Sequence, residues 1–160
     1  MRIYALTLAL AMLSASCAQA QTFAAPDVLR YGATVAETQA ALAGRCTSMV
    51  TRPIAPPFAP DVQRQQLQID CDGFEFFGAP RWAEFVFRDD SLEMAWIMVR
   101  SEDQAAIVAA MQAAYGPPTH TNSNYIAFAG ANAAWRHRPA EVLFYSPTFE
   151  TWAEGWISEE

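Results

Sequence analysis

Two rhythms of apolar and polar residues run through this 160-residue chain, one with the period of a helix and one with the period of a strand. The helical rhythm occurs twice. At Thr34-Val35-Ala36-Glu37 the threonine oxygen can take an orphan backbone N–H while Glu37 reaches back, which predicts a capped helix start. Val35, Ala41 and Leu42 give that helix a modest apolar face, and Gly44 ends it. A second helix is predicted from Ser101, with Gln104 three positions on. Ile107, Val108, Met111 and Tyr115 form its stripe, read as core packing, and Gly116-Pro117-Pro118 stops it.

The strand rhythm fills most of the rest. Residues 66–71 alternate strictly, with Leu67, Ile69 and Cys71 on one face and Gln66, Gln68 and Asp70 on the other. Segments 82–88 and 92–100 flank Asp89-Asp90-Ser91, a turn composition, and predict a hairpin. Further strands are expected near 124–128, 133–138, 140–146 and 151–157. Residues 53–60, "PIAPPFAP", hold four prolines and predict a loop. "GFEFFGAP", 73–80, reads as a core-forming connection, with no evident reason for Glu75.

Runs of strands set against only two helices predict an α+β fold: an antiparallel sheet with two helices. "AEFVF" at 83–87 is similar to "AEVLFY" at 140–145, and "MAWI" at 94–97 to "EGWI" at 154–157. These matches suggest tandem units, 31–100 and 101–157, each one helix followed by three or four strands. In that helix-then-strands pattern the chain resembles small secreted proteins of Gram-negative bacteria. It is similar to the tandem architecture of beta-lactamase inhibitory proteins and to the single unit of the small lipoproteins of the outer-membrane assembly machinery. The resemblance covers 31–157 by architecture only and implies an interaction role. No binding motif of either family is matched, so no functional residue carries over.

The first twenty residues read as a leader rather than part of the fold. Arg2 is followed by an apolar run over 3–13 and by small residues ending in Ala18-Gln19-Ala20, the layout of a secretory signal cut after Ala20. Eleven apolar residues are too few to cross a bilayer core of about 30 Å as a helix. The minor alternative is a lipoprotein anchored through Cys17, although Ser14 stands where such a signal usually has leucine. Either reading puts residues 21–160, a single domain, in the periplasm or outside the cell, where disulfides form.

Charge and composition then remove function classes. Beyond residue 20 there are nine arginines against seventeen acidic residues, a formal charge of −8. A chain so acidic has no net attraction to nucleic acid or to anionic lipid. There is no lysine at all, which excludes phosphate-loop nucleotide binding, Schiff-base catalysis and the Ser-x-x-Lys machinery of penicillin-recognising enzymes.

Asp70-Cys71-Asp72-Gly73 invites chemistry and fails each test. Counted from Asp70 as a calcium loop, glycine falls at position 4, Phe74 at 5 and Arg81 at 12. There is no Cys-x-x-Cys pair for zinc. Two flanking aspartates disfavour a thiolate nucleophile at Cys71. A Cys46–Cys71 disulfide accounts for both cysteines of the mature chain. Trp135-Arg136-His137-Arg138 is the only basic cluster; it reads either as a partner contact or as a solvated strand face. His120 and His137 lack an accompanying nucleophile motif, and Glu75 with Glu84 has no established geometry.

The expectation is therefore a non-enzymatic module without cofactor or metal, binding a periplasmic or envelope protein in the manner of an inhibitor. The alternative is a small-ligand binder with an apolar pocket between helices and sheet. A hydrolase using His120 or His137 ranks third.

Overall fold

The capping box at Thr34 closes on both sides. Glu37 N donates to Thr34 Oγ1 at 3.2 Å, and Thr34 N donates to Glu37 Oε2 at 2.8 Å. Helix α1, Val35–Leu42, starts there and buries Thr38 and Leu42. The computed structural model describes residues 22–159; the expected leader, its Ala20 cleavage point and Cys17 lie outside the described residues.

After α1 come four strands, β1 (Ser48–Ile54), β2 (Gln66–Phe76), β3 (Ala79–Arg88) and β4 (Ser91–Met98). Helix α2, Gln104–Tyr115, follows, preceded by a 3₁₀ turn over Ser101–Asp103, so the helix proper starts at Gln104 and without a side-chain cap. Four more strands follow: β5 (His120–Thr121), β6 (Tyr125–Phe128), β7 (Ala133–Arg136) and β8 (Glu141–Tyr145). Helix α3, Glu150–Ser158, ends the described chain. All strands pair antiparallel in one eight-stranded sheet of order β1-β2-β3-β4-β8-β7-β6-β5. The fold is α+β. It consists of two four-stranded meanders joined where β4 meets β8. Among the described residues no helix is long and apolar enough to cross a membrane.

Three expectations are corrected. The strand expected at 151–157 is α3. Trp152 and Trp156, four apart, share a face in either conformation. Ala153 and Ile157 complete a helical stripe, and both are buried. Pro147 opens the preceding 3₁₀ turn. There are thus three described helices, and "EGWI" is helical where "MAWI" is strand. "AEFVF" lies in β3 and "AEVLFY" in β8, which are not equivalent positions in the two meanders.

The second correction concerns 73–80. β2 runs on to Phe76, and a register shift between Cys71 and Phe74 marks a bulge. Gly73 sits there with φ +75°, and a Cβ would stand 2.7 Å from the Thr47 side chain, so only glycine fits. The extra residue resets the alternation. Phe74 and Phe76 join Leu67, Ile69 and Cys71 on the α1/α2 side, and Glu75 falls between them facing water. Phe77 and Gly78, both at positive φ, form the two-residue turn into β3, as Asp89 and Asp90 do between β3 and β4.

The third concerns the polar face of β2. Alternation sets Gln66, Gln68 and Asp70 on the face opposite the core residues and leaves Asp70 and Asp72 facing solvent; Asp72 is exposed, but Asp70 is buried together with both glutamines. A second layer covers them. One side of the sheet packs on α1, α2 and Phe23 and Val28, with Phe85, Phe87, Ile107, Met111, Trp135 and Phe144 at its centre. The other side packs on α3 and the proline loop, through Val86, Met94, Leu143, Tyr145, Phe149, Ala153, Ile157 and Ala59. Gln66 holds the loop there: its Oε1 accepts from the backbone N–H of Phe58 and of Ala59, each at 2.9 Å.

α3 is held to the sheet by Glu93 of β4, a buried carboxylate. Oε2 accepts from the hydroxyls of Ser146 and, at 2.6 Å, Thr148; Oε1 pairs with Arg88 and Ser91 at 3.2 Å. Ser146 N also donates to the Glu93 carbonyl at 2.7 Å. Arg88 in turn lies 4.7 Å above the Phe149 ring, at the start of α3.

The Cys46–Cys71 disulfide is formed. It joins the segment entering β1 to β2 beside the bulge, where Thr47 N also donates to the Asp72 carbonyl at 2.7 Å. Cys71 is wholly buried. β1 is an edge strand, which is how it tolerates Pro53.

Candidate functional site

Where α3 and the proline loop cover the second face of the sheet, they leave a cleft of about 500 Å³. Four aromatic side chains form its wall as a connected box. Trp96 lies 5.7 Å from Trp156 at 35°, Tyr125 5.4 Å from Trp156 at 62°, and Trp152 5.5 Å from Trp156 at 69°. Phe58, 47% exposed, stacks on Trp152 at 6.1 Å and forms the lip. α3 supplies the two indoles because Trp152 and Trp156 lie one turn apart; Trp96 and Tyr125 come from β4 and β6, one on each side of the β7–β8 pair.

Polar groups converge on this box from the strands: Gln68 of β2, Glu84 of β3, Arg136 of β7 and Glu141 of β8. Arg136 and Glu141 are cross-strand partners and form a close ion pair, and Tyr125 stands opposite Arg136 on the next strand. The guanidinium also lies 4.4 Å over the Trp96 ring. Neither Oε2 of Glu141 nor Nε of Arg136 has an aligned hydrogen-bond partner, although Arg136 Nη2 lies close to Glu141 Oε2. Glu84 is differently placed. Trp82 Nε1 donates to it at 3.3 Å, and Arg52 stands 3.9 Å away. Arg52 itself is committed to Asp70 at 2.7 Å, and Gln68 Nε2 donates to the other Asp70 oxygen at 2.6 Å.

Burial pushes the Glu141 carboxyl up to about 7; Arg136 pulls it down, and the Glu84 charge adds to the rise. Burial wins because the side chain is only 2% exposed. The unfolded chain returns this group to about 4.5. Between those values the folded state holds the extra proton, so this residue makes stability fall as pH rises from about 4.5 to 7, then level off. At roughly 1.36 kcal/mol per unit the effect reaches about 3 kcal/mol. Thermal midpoints at pH 5 and pH 8 should therefore draw together in Glu141→Gln relative to the parent. The same pH slope in both proteins would rule Glu141 out as its source.

The residues singled out in the sequence are dispersed. Trp135 is fully buried on the α2 side, with its Nε1 3.3 Å from His137 Nδ1. Arg136 points to the opposite face and into the cleft, His137 is half-buried and Arg138 is exposed. The four do not form one surface. His120 lies against Asn122 Nδ2 at 3.3 Å. Among the described residues neither histidine contacts a carboxylate, and no group of three or more His, Cys, Asp or Glu side chains is placed to hold a metal ion.

Sequence reasoning missed Gln68, Tyr125 and Glu141 as site residues. The available signal was Glu141 itself, a charge in strand alternation with Leu143 and Tyr145. No family model, curated protein or solved structure matches this chain.

Proposed function

We propose that this chain is a non-catalytic protein of the periplasm or the secreted fraction that holds a small ligand in the cleft between α3 and the sheet. The observation that carries the reading is the cleft itself: an aromatic box with a few convergent polar side chains, the usual make-up of a small-molecule site. A protein-interaction module working through its sheet would present an exposed aromatic face. Among the described residues both faces are covered over the centre of the sheet, and the exposed part is the β1 edge with Met49, Val50 and the lone aromatic Trp82, which favours the ligand reading. The Cys46–Cys71 disulfide supports an oxidising compartment.

The five tryptophans provide the test. Trp96, Trp152 and Trp156 line the cleft, whereas Trp82 and Trp135 do not. Indole N–H signals in a ¹⁵N-labelled sample are followed while cationic, anionic, saccharide and neutral aromatic probes are added. At least one class should shift the three cleft indoles saturably and leave Trp135, on the opposite side of the sheet, in place; the Trp82 N–H reports on Glu84, to which it donates. Cleft indoles unmoved by all four classes would end the ligand reading.

A further inference from the structure

We infer that the cleft selects an organic cation, an ammonium group seated against the indoles of the cleft on the side of Trp96, with Glu84, the cross-strand partner of Trp96, as its counter-charge. The inference rests on the ligand-binding reading and narrows it to one chemical class.

Three observations carry it. The first is charge. Arg136 neutralises Glu141 and Arg52 is taken by Asp70, which leaves the Glu84 carboxylate with an indole N–H and one distant guanidinium. Above about pH 7, where Glu141 is ionised, the cleft is therefore one negative charge in excess, in a chain of formal charge −7. The second is the wall. Rings set at 35°, 62° and 69° to Trp156 present faces from several directions, and a cation gains from each face it can meet within about 6 Å. The third is internal precedent. The Arg136 guanidinium already uses this chemistry, lying over Trp96 and paired with a carboxylate. Among the described residues the other aromatic faces of the cleft carry no such intramolecular cation.

Glu141 gives the selection a pH dependence. Arg136 on β7 and Glu84 on β3 are the charges acting on it, Tyr125 on β6 stands beside its partner, and α3 adds only indoles to the cleft. A bound cation favours the ionised form of Glu141, so affinity should rise as pH rises through about 7.

Choline and 3,3-dimethyl-1-butanol have the same shape and differ in charge, which makes them the probe pair. In titrations of the intact, oxidised protein followed by tryptophan fluorescence and by the indole N–H signals, choline should bind at least tenfold more tightly than the alcohol. Its affinity should increase between pH 5.5 and 8.5. Glu84→Gln, checked for a native far-ultraviolet spectrum, should erase most of the preference for the cation. Equal binding of the two probes, or occupancy only by a neutral disaccharide or by acetate, overturns the cation assignment while the ligand-binding reading stands. Silence of the cleft indoles toward every probe class overturns both.

Discussion

Cys46→Ala combined with Cys71→Ala is expected to lower the unfolding free energy by about 3.5 kcal/mol. The bridge closes a loop with a sequence separation of 25, and the chain-entropy model gives that figure for the freedom it removes from the unfolded chain. Against a typical domain stability of about 5–15 kcal/mol the loss is large, and it corresponds to a fall of roughly 10 °C in thermal midpoint. The enclosed segment explains why the loss should approach the entropic value. It contains the proline loop, which makes few regular backbone bonds and is held chiefly by the two N–H groups given to Gln66. Urea titration of the double variant beside the oxidised parent measures the effect. A loss below about 1 kcal/mol would show that the unfolded chain is already constrained without the bridge.

Glu93→Ala should cost about 3 kcal/mol. The substitution strips a buried carboxylate from the hydroxyls of Ser146 and Thr148 and leaves Arg88 without its partner. Orphaning one member of a buried pair costs roughly 3–5 kcal/mol. The lower end applies because Arg88 is 22% exposed and can turn toward water. Glu93→Gln retains acceptors for the hydroxyls and should lose about half as much. Because the network anchors the entry to α3, amide exchange in Glu150–Ser158 should accelerate more than exchange in β2 and β3. Uniform acceleration across the sheet would mean that Glu93 supports the fold generally and not the helix in particular.

What could be read from the residues divides by range. Thr34 with Glu37, the Ile107 and Met111 stripe, the Asp89-Asp90 turn and the cysteine pair are features of short segments or of simple counting, and each is present in the structure. The α3 helix was missed because Trp152 and Trp156 satisfy both periods, and because Gly155 and a polar surround weaken a helical assignment. The burial of Gln66, Gln68 and Asp70 was unreadable for another reason. Alternation separates two faces of a strand but does not say whether a distant helix will cover the polar one. The cleft is a feature of that second layer. Its side chains come from six strands, one helix and one loop, and only the fold brings Glu84, Arg136 and Glu141 around the indoles of α3.

The Gly73 bulge has a consequence for how this chain can change length. Because the bulge takes up one extra residue, losing one residue between Cys71 and Phe74 would restore unbroken alternation, with Phe74 and Phe76 still inward and still opposite Arg81 and Ala79. Elsewhere along β2 a single addition or loss would swap the two faces of every residue beyond it, so only paired changes keep the pattern. The tight Phe77-Gly78 turn that follows leaves no slack to absorb a single one. Length variation between related chains belongs instead in the loop between β1 and β2, where no such parity applies.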